Sequence, residues 1–182
     1  NNIHLYTADF TLLHHYKVVI FYNYARSITS AEHSALQSYL SSGGNLLVTG
    51  YDSLAYDPLL ADVVRSSSFG DDIGEPDLCV VNALHPIMNG PYGSFPERYH
   101  ISGLYSDCDA VEASTYRYAV GVAELADNYH KIIATDLSTG KVVYWNGIGT
   151  DDWLWNPDCQ VMFKNTLAWL RGLITRHDMA IV

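Results

Sequence analysis

The sequence predicts an α/β fold built on a mostly parallel sheet with helices on both faces. Three observations carry this. Lys17–Tyr22 is a continuous apolar run rich in β-branched residues, the pattern of a strand covered on both faces. Thr29–Leu40 reads as a capped amphipathic helix, and Asn45–Thr49 is a second apolar run. Strand, helix and strand with short joints form a βαβ unit, which sets its two strands parallel.

The elements follow in chain order. Ile3, Leu5 and Tyr6 open the chain as a short strand pattern, and Lys17–Tyr22 ends in the polar loop Asn23-Tyr24-Ala25-Arg26. Thr29-Ser30-Ala31-Glu32 is a capping box, in which Thr29 accepts the Glu32 amide and Glu32 reaches back. Leu36, Tyr39 and Leu40 share one helical face, and Gly43-Gly44 supplies a left-handed stop. After the second strand comes a sharp turn, Gly50-Tyr51-Asp52-Ser53. Pro58–Val64 reads as a short helix, Ser66–Ser68 and Gly70–Asp72 as loop, Leu78–Val81 as a strand, and His85–Pro91 as turns. Residues 92–108 read as irregular and aromatic-rich. Val111–Ala113, Tyr118–Ala123 and Tyr129–Thr135 read as strands, the last two a hairpin about Asp127-Asn128. Ser138-Thr139-Gly140 turns into a strand, Lys141–Trp145, which runs out at Asn146–Asp152. Asn156-Pro157 starts a helix, with Asn as N-cap and Pro at the first position. Its apolar face holds Cys159, Met162, Phe163, Thr166, Leu167 and Leu170, and Arg171-Gly172 closes it. Met179–Val182 is a further strand pattern.

The 182 residues read as one domain, 1–182, long enough to bury a substantial core. The chain does not begin with Met, so it reads as part of a longer protein with neighbouring domains. A formal charge of −10 argues against nucleic acid or an anionic membrane as partner, since both need a basic footprint. No run reaches the roughly 18 apolar residues of a membrane span. With 14 Tyr and 4 Trp against few Lys, the composition suits polar, ring-shaped ligands such as sugars, though aromatic residues also serve packing. It favours an extracellular or cell-envelope setting over the cytoplasm. Cys79, Cys108 and Cys159 show no metal-type spacing; one disulfide, with Cys79–Cys108 the best pair by loop context, and three buried thiols are both open.

Three stretches together resemble the class I glutamine amidotransferase-like superfamily, nearest its trehalose-utilisation (ThuA-like) branch. They are residues 16–50, with Gln37-Ser38-Tyr39-Leu40 leading to Gly43-Gly44-Asn45-Leu46-Leu47-Val48-Thr49-Gly50; His85-Pro86-Ile87; and Gly140–Tyr144 through Gly149, with Phe163–Leu170. The resemblance implies a flavodoxin-like three-layer sandwich. It also implies a first strand and helix ahead of the segment equivalent to residues 1–22, which is missing here or supplied otherwise, for instance by Met179–Val182. Active members carry a nucleophilic Cys on the turn after the central strand, where backbone amides form an oxyanion hole. The matching turn here is Gly50-Tyr51-Asp52-Ser53, without Cys, and Gly149-Thr150 stands where ThuA-like proteins often have Gly-His. Glutamine hydrolysis by a Cys-His-Glu triad is therefore not expected.

Topology places a ligand crevice at the carboxyl ends of the strands. The loops facing it carry the expected ligand-binding residues Asn23, Tyr24, Arg26, Tyr51, Asp52, Asp151, Asp152 and Trp153. Asp52, Ser53, His85 and Asp151 are the weak catalytic candidates. Asp and Ser on such turns equally serve as helix caps, and His85 before Pro86 equally shapes a turn. No metal and no cofactor are expected, because the carboxylates lack EF-hand or zinc-site spacing. The leading expectation is a non-catalytic binding or interaction module with a sugar or protein ligand. Its rivals are a ThuA-like carbohydrate-metabolism enzyme using Asp52, Asp151 or His85, and a structural or oligomerisation domain with an apolar patch on residues 92–108 or the C-terminal tail.

Overall fold

The computed structural model describes residues 9–24, 26–50, 54, 57–70, 77–80, 83–95, 98–100, 110–113, 122–123, 129–130, 132–146 and 157–173. The strand patterns at Ile3–Tyr6 and Met179–Val182 lie outside the described residues. Among the described residues the helices are α1 (Ser30–Ser41), α2 (Pro58–Val64) and α3 (Pro157–Leu170), with a 3-10 helix, Phe10–His15, ahead of them. The strands of the first sheet are β1 (Val18–Tyr22), β2 (Asn45–Gly50), β11 (Ile132–Asp136) and β12 (Lys141–Asn146). Between them come β3 (Ser66–Gly70), β4 (Asp77–Val80), β5 (Asn89–Gly90), β6 (Gly93–Ser94), β7 (Arg98–His100), β8 (Ala110–Ala113), β9 (Val122–Ala123) and β10 (Tyr129–His130).

The fold is α/β and flavodoxin-like. Its main sheet has the order β1-β2-β12-β11, with β1, β2 and β12 parallel and β11 antiparallel to β12. The capping box forms as read: Thr29 Oγ1 accepts the Glu32 N–H at 3.2 Å, and Glu32 Oε2 accepts the Thr29 N–H at 2.7 Å. Gly43 takes φ +92°, where a side chain would be strained, and turns α1 into β2.

Every residue of β2 is buried, because both faces of the strand are covered. Leu46 and Val48 face α1 and α2, packing with Leu36, Tyr39, Leu40, Leu60 and Val63. Leu47 faces the other side, with Val143, Trp145, Met162, Trp169 and Ile87 around α3. Each such Leu or Val removed from water contributes about 1.5–3 kcal/mol. At the amino ends, one side chain ties three strands. Asn45 Nδ2 donates to the Lys17 carbonyl at 3.1 Å, and its Oδ1 accepts the Lys141 N–H at 3.0 Å.

The structure departs from the sequence reading in four places. Ser66–Gly70 is a strand, not a loop: it pairs antiparallel with β8, and long-range pairing overrides the low strand preference of serine. The segment 92–108 contains β6 and β7. Tyr129–Thr135 divides into β10 and β11, which belong to different sheets, so an antiparallel sheet β3-β8-β10-β9-β4-β7 stands beside the parallel one. β1 is not buried throughout: Phe21 is buried and Val18 packs against the core around α3, but Ile20 and Tyr22 are exposed. Of the proposed strand Tyr118–Ala123, only Val122–Ala123 falls within the described residues; it pairs with His130 as the hairpin reading requires.

Candidate functional site

β1, β2 and β12 end together, and the loop Asn23–Thr29 leaves β1 at that rim. The Asn23 N–H continues the ladder to Thr49 O at 2.8 Å. Gly50 comes so close that a Cβ on it would stand 1.7 Å from the Asn23 carbonyl oxygen, and its φ of +135° is a glycine conformation. The side chain of Asn23 is buried and donates from Nδ2 to the Arg26 carbonyl at 2.6 Å, which folds the loop back on itself.

Arg26 reaches forward to α1. Its guanidinium forks onto the Glu32 carboxylate at 3.0 and 3.2 Å. That fork, with the Thr29 bonds, holds the Glu32 carboxyl below its ordinary range. Tyr24 stands exposed beside them.

A residue overlooked in the sequence completes the rim. Asp57, buried at 4% exposure, accepts the Ile28 N–H through Oδ2 at 2.7 Å. Its Oδ1 accepts the N–H groups of Leu59 and Leu60 at 3.1 and 3.0 Å. It therefore caps α2 and anchors the loop after β1 with one carboxylate. The signal was present, since Asp57-Pro58 is itself an N-cap followed by Pro at the first helical position.

The structure thus brings Asn23, Tyr24 and Arg26 together. Tyr51, Asp52, Ser53, Asp151, Asp152 and Trp153 lie outside the described residues, so their approach to this rim is a matter for proposal. His85 is elsewhere. Its ring packs edge-to-face on Trp169 at 5.0 Å, and the Lys141 ammonium sits 4.7 Å from the Trp169 ring while donating to the Trp169 carbonyl at 2.9 Å. Lys141 begins β12, so His85 belongs to the amino ends of the strands. There its Nδ1 accepts the Ile87 N–H at 3.2 Å and its carbonyl accepts from Met88 and Asn89, as in a turn.

Two further features were not foreseen. Asn165, fully buried on α3, donates to the carbonyls of Ile87 and Gly93 and accepts the Tyr92 N–H. At the opposite end from the rim, a cavity of about 280 Å³ opens between the 3-10 helix and the end of α1. Among the described residues, no three His, Cys, Asp or Glu side chains gather as a metal centre would require.

No protein-family model matches the chain, and no curated protein matches it. Solved structures do. A cytoplasmic protein from Salmonella typhimurium is 16% identical with a TM-score of 0.62, over 91% of this chain and 76% of that one. The mmIFT52 N-terminal domain is 16% identical with a TM-score of 0.62, over 90% and 80%. A ThuA-like protein from Bacteroides uniformis is 14% identical with a TM-score of 0.54, over 88% and 71%. Likeness at this identity concerns the fold, which is the α/β fold these proteins share.

Proposed function

We propose that the chain is a non-catalytic binding module of the glutamine amidotransferase-like superfamily, nearest its ThuA-like branch. Its ligand is a sugar or a protein surface, held at the carboxyl ends of β1, β2 and β12. One observation carries the reading. The polar groups of the rim are spent on the fold: Asn23 and Arg26 of the first loop on the Arg26 carbonyl and Glu32, and Asp57 at the start of α2 on Ile28. A rim bonded in this way is a stiff platform, with Tyr24 and Arg26 exposed on it. The turn beyond β2 reads Gly50-Tyr51-Asp52-Ser53 and offers no thiol as nucleophile.

The test has two arms. Purified protein incubated with glutamine and with a panel of glycosides is expected to show no turnover. Mono- and disaccharides titrated into isotope-labelled protein are expected to shift the amide signals of Asn23, Tyr24 and Arg26. Turnover that Asp52→Ala or Ser53→Ala abolishes overturns the reading. The ThuA-like neighbour keeps an enzyme of carbohydrate metabolism as the rival. With His85 at the amino ends of the strands, that enzyme would rely on Asp52 and Asp151.

A further inference from the structure

The antiparallel sheet sets a cysteine among ionisable residues. β4 lies between β7 and β9, and its pairing runs residue by residue. Cys79 stands opposite Arg98 on one side and Ala123 on the other, and Asp77 stands opposite His100. One strand further, His130 also pairs with Ala123. Cross-strand partners share a face of a sheet, as do positions two apart on one strand. The register therefore collects Asp77, Cys79, Arg98, His100, Ala123 and His130 on one face of β7-β4-β9-β10. The alternate positions, Leu78, Val80, Tyr99, Val122 and Tyr129, fall on the other. Ionisable residues on one face and apolar residues on the other are the pattern of an antiparallel sheet that packs one face and leaves one in water. Cys79 belongs to the polar face.

The order of these positions bears on a thiol. Partners directly opposite stand about 5 Å apart, and diagonal ones about 7–8 Å. Arg98 takes the nearer position to Cys79, and His100 the diagonal one. Asp77, two positions along β4, has His100 as its own partner, so the charge matched to Cys79 is that of Arg98. The described residues of β9, Val122 and Ala123, bring no ionisable group. A cation at such a position favours thiolate over thiol, and thiolate is the attacking form in disulfide exchange. Cys159 is the internal contrast, since burial and Asp158 push its thiol up to about 12.

We propose that Cys79, opposite Arg98 and diagonal to His100, is a thiol-modification site that exchanges with small disulfides bearing carboxylates. The Cys79 sulfur attacks one sulfur of the reagent, and its electron pair forms the new S–S bond. The old S–S bond breaks with its pair on the departing sulfur. The protein gains a mixed disulfide, and the other half of the reagent leaves as a thiolate. That thiolate takes up a proton, which His100 is placed to donate. Cys79 is oxidised and the departing sulfur is reduced. Arg98 selects for the carboxylates of the incoming group. The site is independent of the rim above.

The probes are glutathione disulfide, which is anionic, and cystamine, which is cationic. Each is incubated with the full-length protein at neutral pH, and every cysteine is followed by peptide mass mapping. The ratio of the glutathione rate to the cystamine rate at Cys79 is expected to be about tenfold higher in folded protein than in urea, a comparison that removes the intrinsic difference between the reagents. Cys159 is expected to stay unmodified until urea is added. Arg98→Gln is expected to bring the Cys79 ratio to its urea value, and Arg98→Lys to keep it within about threefold, both with unchanged circular dichroism spectra. An equal ratio in folded and unfolded protein, a ratio that Arg98→Gln leaves unchanged, or Cys79 already bonded to Cys108 in the native protein overturns the proposal. The folded-to-urea comparison needs no variant, so it decides even where Arg98→Gln does not fold.

Discussion

The carboxylate of Asp57 holds the backbone N–H of Ile28 at 2.7 Å, joining the start of α2 to the loop that leaves β1. Because the same carboxylate also accepts the Leu59 and Leu60 amides, its removal leaves three backbone donors without a partner, two of them in the first turn of α2. Asp57→Ala is expected to cost about 2–4 kcal/mol, measured by urea unfolding. Asp57→Asn, which keeps an acceptor oxygen, is expected to lose less.

Gly50 and Gly172 both have positive φ but differ in surroundings. A Cβ on Gly50 meets the Asn23 carbonyl, whereas one on Gly172 meets nothing within 4 Å. Gly172→Ala is expected to cost about 1 kcal/mol from backbone strain alone. Gly50→Ala adds a backbone clash and is expected to cost more than about 3 kcal/mol or to prevent accumulation of folded protein. Thermal unfolding of the two variants side by side checks the difference.

Glu32 supplies a pH dependence with a definite sign. The Arg26 guanidinium, followed by the Thr29 bonds, holds its carboxyl below the ordinary value of 4.5, against the opposing effect of burial. A depressed pKa makes the stabilising contribution complete above the unfolded value. It is lost as pH falls through the lower folded value. The stability difference between the native protein and Glu32→Gln is therefore expected in full at neutral pH and to shrink progressively as pH falls below the ordinary value of 4.5, in unfolding curves taken across that range.

Burial on α3, with Asp158 adding to it, pushes the Cys159 thiol up to about 12. The thiolate is the reactive form, so iodoacetamide at pH 8 is expected to leave Cys159 unmodified in folded protein and to label it in urea. Peptide mass mapping distinguishes it from the other two cysteines.

Asn165 holds the turn after His85 and the β5–β6 hairpin against α3 through three hydrogen bonds. Asn165→Ala is expected to cost about 2–4 kcal/mol and to speed exchange of the Tyr92 amide, read by hydrogen exchange.

What could be read from the sequence was what is encoded locally. Thr29 and Glu32 announce α1, Gly43-Gly44 end it, and the apolar runs on either side make the βαβ unit, all within about thirty residues. The antiparallel sheet was not legible in full. Ser66–Gly70 has poor strand propensity and is held by Ala110–Ala113, a partner that no local pattern identifies. The exposed positions of β1, Ile20 and Tyr22, were missed for a related reason, because an apolar run does not say whether a helix covers it. At the rim, Asn23 and Arg26 were recognised as loop polar groups, but their bonds to Arg26 O and Glu32 depend on the path of the loop. Asp57 was legible as a cap; its bond to Ile28 was not.

Residues 66–130 leave after α2 and return one residue before β11, which makes them look like an inserted cassette. They are not detachable. Midway through that excursion, Ile87, Met88 and Phe95 are lent to the core beneath α3. Excising the stretch would remove three buried side chains at about 2–5 kcal/mol each, comparable with the whole stability of a domain. The two sheets are therefore expected to melt as one cooperative unit, with equal calorimetric and van't Hoff enthalpies.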